Sequence, residues 1–396
     1  MATDGLPRPP RRVPAGADPL RPPTVVQGRT PRKQQQVVRR APRAWYLIPL
    51  VLAVAAAGVG AGWLLRAEEG ILDTAAAQRA VGSGVVTVLA TTCQGDGRAT
   101  GFLIGDNKVI TAARAIFGPV SVVVVTADGQ VRSATVMGTS TDGIALLRIP
   151  GPPIDGQPPS RAAKAPAIGT ELALIGNGNE YIGTDDVGSG TVKVSVAGAN
   201  QLSGSVNEAL LGSPLVNVDG QVAGVLTGLS VYLPPAGIEP YLGAAPPISS
   251  TRGGVCPAAQ GPEDLVTPVL DDKPSELSGA VMQTFERYVR AVNAHSFEAV
   301  LATYTGKQLA RASLETVSRQ HRTTYLFGPR VSDITPIGVG GVRARMVFTT
   351  IHHTDGPAAN MTCARWNIIY QLEPSDGVLK ISGLTTGGKT LGCDGA

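Results

Sequence analysis

From Val81 to Gly228 apolar and polar positions alternate in short bursts. VVTVLATTC, TGFLIG, KVITAA, VSVVVVTA, SATVMG, IALLRI, ELALIG, TVKVSV, SPLVNV and QVAGVLTG follow one another, rich in Val, Ile and Thr. Turn residues separate them, with GDN at 105–107 and DG at 128–129 and 219–220. Such segments recur about every ten residues with no helical interludes, and this predicts an all-β sandwich or barrel. The period changes after residue 275. Val281, Phe285, Tyr288, Val289 and Val292 fall at helical spacing, with Ser278 as the expected N-cap. Two further helices are expected over 296–304 and 309–321, then strands over 342–353, 360–373 and 377–386. Helices followed by a strand meander is an α+β order. Between the two textures, residues 257–274 hold four Pro and four acids and read as a linker.

A third pattern precedes both. Residues 44–65 carry no charge over 22 positions, enough at about 1.5 Å per residue to cross a hydrocarbon core of about 30 Å. Trp45, Tyr46 and Trp63 sit near its ends and Arg43 and Arg66 bracket it. A cleaved signal peptide has a shorter apolar core, so the run is expected to be a retained single span. Residues 66–79 then form a juxtamembrane linker.

Charge refines this picture. The net charge of +4 and the pI near 8.9 mislead, because residues 1–43 hold ten Lys/Arg against two Asp. The remaining chain is acidic, with 24 basic and 28 acidic residues. No basic folded domain asks for nucleic acid. The basic tail, with nine Pro, is expected to be disordered and cytoplasmic by the positive-inside rule, which puts everything after Arg66 outside. Its RTPRKQQQVVRR stretch either touches anionic lipid headgroups or is a topology signal alone. All four Cys (Cys93, Cys256, Cys363, Cys393) then lie on the outer, oxidising side, and an even count reads as two disulfides. No C-x2-C or H-x3-H spacing supports zinc. Neither a metal nor a cofactor is expected.

Four segments, in order, resemble the chymotrypsin-like serine peptidases of the HtrA-like branch. TGFLIGDNKVITAARAI (100–116) is similar to the strand pair that ends in T-x-A-H. STDGIALLRI (140–149) resembles the segment carrying the family's Asp, and GTELALIGNGN (169–179) a strand of the second barrel. NEALLGSPLVNVDGQVAGVLTG (207–228) is similar to G-N-S-G-S-P-L-x-N-x-x-G-x-V-x-G-V. The resemblance implies a double-barrel domain over 80–256.

Its catalytic chemistry departs from the family. The alignment puts Arg114 where the His belongs and Leu211 where the nucleophile belongs, and keeps only Asp142. Ser213 falls two residues after the nucleophile position. The four His (His295, His321, His352, His353) all lie beyond residue 290, so the peptidase-like stretch contains none. Arg114 stays charged and cannot act as a base, and Leu211 has no nucleophilic atom. Arg114 is expected to pair with Asp142, or else to line an anion-binding cleft. NEALLG lacks the Gly of an oxyanion turn, so a cleft filled by side chains is expected. Cys93 follows the first strand and Cys256 the last; their pairing would close a loop of about 160 residues.

YVRAVNAHSFEAVLATYTGKQL resembles the opening of the NTF2-like, cone-shaped superfamily, which implies that fold for 275–396 and little about function. His352 and His353 are adjacent and so face opposite sides of a strand, with one pointing inward. His295 falls at a helix–helix corner, where capping or solvent contact is expected. A hairpin turning near residue 376 puts Cys363 opposite about residue 389, with Gly387, Gly388 and Gly392 letting Cys393 approach.

Three functions remain open. The first is a membrane-anchored extracytoplasmic pseudopeptidase that binds or scaffolds a protein or peptide partner in the cell envelope. The second is an active trypsin-like endopeptidase with an unusual constellation. The third is small-ligand binding in the NTF2-like cone.

Overall fold

The computed structural model describes residues 71–94, 97–105, 107–176, 190–204, 206–250, 256–262, 265–358 and 360–394. The apolar run 44–65 and the basic tail lie outside the described residues, and with them the expected span. Among the described residues no helix is long and apolar enough to cross a membrane.

Helix α1 (Thr74–Val81) comes first and begins within the stretch 66–79 expected to be linker. Asp73 caps it by accepting from Ala75 N at 2.9 Å and Ala76 N at 3.1 Å. Ala77 and Val81 bury its inner face; with small side chains and one Val, TAAAQRAV carries little periodic signal. Seven strands then form an open sheet: β1 (Val85–Thr92), β2 (Arg98–Gly105), β3 (Lys108–Ala112), β4 (Pro119–Val125), β5 (Val131–Ser133), β6 (Thr135–Thr139) and β7 (Ile144–Arg148), in the order β5-β4-β1-β2-β3-β7-β6. Six more close a barrel: β8 (Glu171–Gly176), β9 (Gly190–Gly198), β10 (Gln201–Leu202), β11 (Pro214–Val216), β12 (Val222–Gly228) and β13 (Val231–Leu233), in the order β10-β13-β12-β11-β8-β9. The short helix α2 (Pro235–Ile238) follows. Each of the ten strand-like segments read from the sequence contains a strand.

The C-terminal region is α+β. After β14 (Val269–Leu270) come α3 (Ser278–Asn293), α4 (Phe297–Ala302), α5 (Gly306–Leu309) and α6 (Leu314–His321). Then β15 (Tyr325–Ile337), β16 (Gly341–Ile351), β17 (Cys363–Ser375) and β18 (Val378–Thr386) form a sheet in the order β14-β15-β16-β17-β18, and β19 (Leu391–Gly392) pairs with β17. The periodic residues of α3 are all buried against Tyr325, Phe327, Met346 and Tyr370 of the sheet. Thr284 pins the helix by donating to the Leu379 carbonyl at 2.9 Å. Ser278 is not the N-cap. It is the first helical residue, and its hydroxyl accepts from Ser275 N at 2.9 Å.

Strand β15 had no counterpart in the hydrophobic pattern. Gly328, Pro329 and Pro336 interrupt it, Asp333 has φ 55°, and its pairing with β16 slips between Phe327 and Arg330 and between Ser332 and Thr335. Bulges break the period-two alternation that sequence reading relies on.

The two textures share one core. All eight residues of β1 are buried. Val86, Val88 and Ala90 face the first sheet's interior, while Leu89 joins Val123, Val125 and Val131 in the core of the C-terminal region. A strand covered on both faces reads as a continuous apolar run, as VVTVLA does. The Pro-rich stretch expected to be a linker is packed at several points. Thr92 and Gln260 exchange both backbone bonds, at 2.8 and 2.9 Å. Ala259 N donates to Arg322 O at 3.0 Å, and Gly261 lies so close to the Tyr325 ring that a Cβ there would sit 2.4 Å from it. Small residues at 259 and 261 allow that approach.

Both expected disulfides are formed. Cys93–Cys256 joins residues 163 apart and Cys363–Cys393 residues 30 apart. The register differs from expectation. A slip at Gln371/Leu372 and the excursion 387–390 place Gly392 opposite Ala364, which brings Cys393 rather than residue 389 beside Cys363.

Candidate functional site

Arg114 sits in the single 3-10 turn Ala113–Ile116, just past the end of β3. The expected ion pair with Asp142 is not formed. Arg114 Nη2 donates instead to Glu208 Oε1 at 2.9 Å, with the two side chains 60% and 47% exposed. A pair so exposed is worth about 0–1 kcal/mol. Asp142 lies on the β6–β7 turn, where its Oδ2 is 3.0 Å from the Tyr241 hydroxyl; that hydroxyl is also 2.7 Å from Ser140 Oγ. Tyr241 is fully buried, and burial, with the adjacent Asp142 carboxylate, pushes its phenol up against the lowering effect of Ser140.

Glu208 opens the 3-10 turn Glu208–Leu210. Asn207 caps that turn, its Oδ1 accepting from Ala209 N at 2.9 Å. Leu211 N donates to Glu208 O at 2.9 Å. In a serine peptidase the N–H groups of the nucleophile and of the residue two before it hold the oxyanion. Under the alignment these are Leu211 and Ala209, and both N–H groups are engaged within the turn.

The rest of the loop is clamped to β2. Thr100 N donates to Leu211 O at 2.8 Å, and Thr100 Oγ1 to Ala209 O at 3.2 Å. Gly212 has φ +84°, and a Cβ there would sit 2.0 Å from Thr100 O, so only glycine fits. Leu211 is 2% exposed and packs with Ala112, Leu210, Leu215 and Tyr232. Ser213 is fully buried, and its Oγ has no partner among the described residues.

Arg114 thus touches, through Glu208, the loop that carries Leu211, while Asp142 is engaged by Tyr241. Glu208, Asn207 and Tyr241 were missed from the sequence. Asn207–Glu208 before a short apolar run is a helix-start signature, and it was the available signal. Among the described residues no three His, Cys, Asp or Glu side chains are grouped to hold a metal.

The C-terminal region holds a second feature. A cavity of about 130 Å³ opens between α3, the end of α6 and the sheet, walled by Tyr288, Phe348, Trp366 and Tyr370 and reached by His321. Burial, with His295 and His352 nearby, lowers the His321 imidazole to about 4. His352 is fully buried and faces inward, and His353 faces out against Asp355 at 2.7 Å. His352 donates from Nδ1 to the His353 carbonyl at 2.8 Å, and burial lowers its pKa. His295, half-buried at the α3–α4 corner, donates from Nε2 to Thr324 O at 3.2 Å, and burial lowers it too.

No curated protein matches the chain. Among solved structures, the chain is similar to the Rv3671c protease in an inactive form, at 23% identity over 41% of this chain and 88% of that one, with a TM-score of 0.32. An inactive mutant form of Rv3671c from M. tuberculosis H37Rv is similar at 23% identity over 46% and 98%, with a TM-score of 0.34. Residues 99–225 match the family model described as the trypsin-like peptidase domain, and that stretch of the chain carries a trypsin-like peptidase fold.

Proposed function

We propose that the protein is a pseudopeptidase, anchored by one membrane span with its N-terminus cytoplasmic, whose outer domains bind or scaffold a protein or peptide partner in the cell envelope. The trypsin-like domain of this reading runs from 80 to 256, and an NTF2-like domain from 275 to 396. The observation that supports it most is the loop at Leu211. An apolar side chain stands where a nucleophile is needed, and the two N–H groups that would stabilise an oxyanion are spent on Asn207 and Glu208. Arg114 at the base position supports the same reading, because a guanidinium does not release its proton near neutral pH. The basic tail and the uncharged run 44–65 support the topology.

The test is a fluorophosphonate probe on the full chain in detergent, together with a denatured protein substrate and beside an active trypsin-like peptidase. The expected result is neither labelling nor cleavage. Labelling that disappears in a Ser213→Ala variant would overturn the reading and restore an active endopeptidase. Protection of residues 1–43 from protease added outside sealed cells tests the topology.

A second reading, small-ligand binding in the C-terminal region, is favoured by a specific observation, the aromatic cavity at His321.

A further inference from the structure

The cavity between α3 and the sheet is walled by four aromatic residues, and among the described residues no Lys, Arg, Asp or Glu lines it. At about 130 Å³ it is close to the size of the apolar cavities, about 150 Å³, that take up a benzene ring. A charged ligand would lose its hydration there and find no counter-ion. The Trp366 indole N–H is already donated to Thr350 Oγ1 at 2.7 Å, and the Tyr288 and Tyr370 hydroxyls are hydrogen-bonded to each other, which leaves the ring faces as apolar walls.

His321 supplies the polar point. Its Nδ1 is buried and has no partner among the described residues. Shielded in this way, Nδ1 is out of a ligand's reach, and Nε2 is the ring nitrogen a ligand meets. A buried N–H without a partner is rarer than a buried acceptor without one. The tautomer that leaves Nδ1 bare therefore costs less, and it places the proton on Nε2, where it is ready to donate. His295 Nδ1 and His352 Nε2 are the acceptor nitrogens of the neighbouring rings, and neither has a hydrogen-bond partner among the described residues, so neither takes that proton.

We propose that this cavity binds a small uncharged ring compound of about benzene size, whose single oxygen accepts a hydrogen bond from His321 Nε2. The proposal rests on the second reading above and not on the state of the peptidase loop. A fluorophosphonate result of either sign leaves it standing, and its own failure leaves the pseudopeptidase reading untouched.

The experiment is 19F NMR on the full chain in detergent, with three probes of matched size. 4-Fluorophenol carries the oxygen, fluorobenzene lacks it, and 4-fluorobenzoate carries a charge. Leu384→Trp serves as the filled control. Leu384 stands at the cavity mouth and is 46% exposed, so a larger ring there closes the mouth without entering the core, and the variant also subtracts uptake by the micelle.

The expected result is saturable broadening of 4-fluorophenol that Leu384→Trp abolishes, with fluorobenzene at least tenfold weaker and 4-fluorobenzoate unaffected. His321→Phe should bring 4-fluorophenol down to the level of fluorobenzene and leave fluorobenzene unchanged. Equal binding of all three probes, binding that survives Leu384→Trp, or a 4-fluorophenol affinity unmoved by His321→Phe would each overturn the proposal.

Discussion

Lowering the pH from 7.5 to 5 should destabilise the protein through His321. Its imidazole titrates near 4 in the folded chain against an ordinary value of 6.5. The unfolded chain therefore binds a proton that the folded chain refuses, and stability falls as pH drops below about 6.5. The contribution is intact above 6.5 and fully lost only below about 4. At 1.36 kcal/mol per pH unit, the loss by pH 5 is about 2 kcal/mol, and by pH 4 about 3 kcal/mol. His295 and His352 are lowered by burial as well and act in the same direction. The lowered carboxyls behave separately. Asp128, Asp355 and Asp376 start from an ordinary value of 3.8, so the stability they lend is present above it and lost only at more acid pH. Urea unfolding at pH 7.5, 6 and 5, followed by fluorescence, measures the slope. His321→Gln, which cannot take up the proton, should remove about 2 kcal/mol of the difference between pH 7.5 and 5. A wild-type stability that is flat over this range, or a slope that His321→Gln leaves intact, would refute the linkage.

Placing His and Ser at the two aligned triad positions, Arg114→His with Leu211→Ser, should not produce hydrolysis of a chromogenic peptide ester, because Ala209 N and Leu211 N stay engaged. A burst of product would show that the turn opens. Replacing Cys93 and Cys256 by Ser should cost about 5 kcal/mol and replacing Cys363 and Cys393 about 4 kcal/mol, since the first pair closes 163 residues and the second 30. Chemical denaturation gives the order, and a larger loss at the shorter loop would contradict it. Leu89→Ala should cost about 3 kcal/mol at the shared core, while Val125→Asp should split unfolding into two transitions by calorimetry. A single transition in Val125→Asp would mean that the shared core does not couple the halves.

The strands were legible because short runs rich in Val, Ile and Thr between turn residues report burial directly. β15 was not, since Gly328, Pro329 and two bulges erase the period while β16 still holds the strand in place. Helix α1 was hidden because Ala-rich segments bury little apolar surface per turn. At the site, Arg114 could be aligned from TAARAI and Leu211 from ALLGSPL, but Arg114's partner could not be read. An arginine's reach covers several carboxylates, and the turn that puts Glu208 closer than Asp142 is set by Asn207 and by the clamp to Thr100. Cys93–Cys256 was readable because both ends leave the same strand set. The packing of residues 257–262 was not, because proline and glycine signal a break in regular structure and say nothing about contact.

The core shared across β1 and β4 has an evolutionary consequence. A gene truncated after residue 256 would encode a trypsin-like unit with Leu89, Val123, Val125 and Val131 laid bare on its outer face, a patch prone to self-association. Each half is the other's solvent shield. Recombination that separates the halves would expose this patch before any question of activity arose.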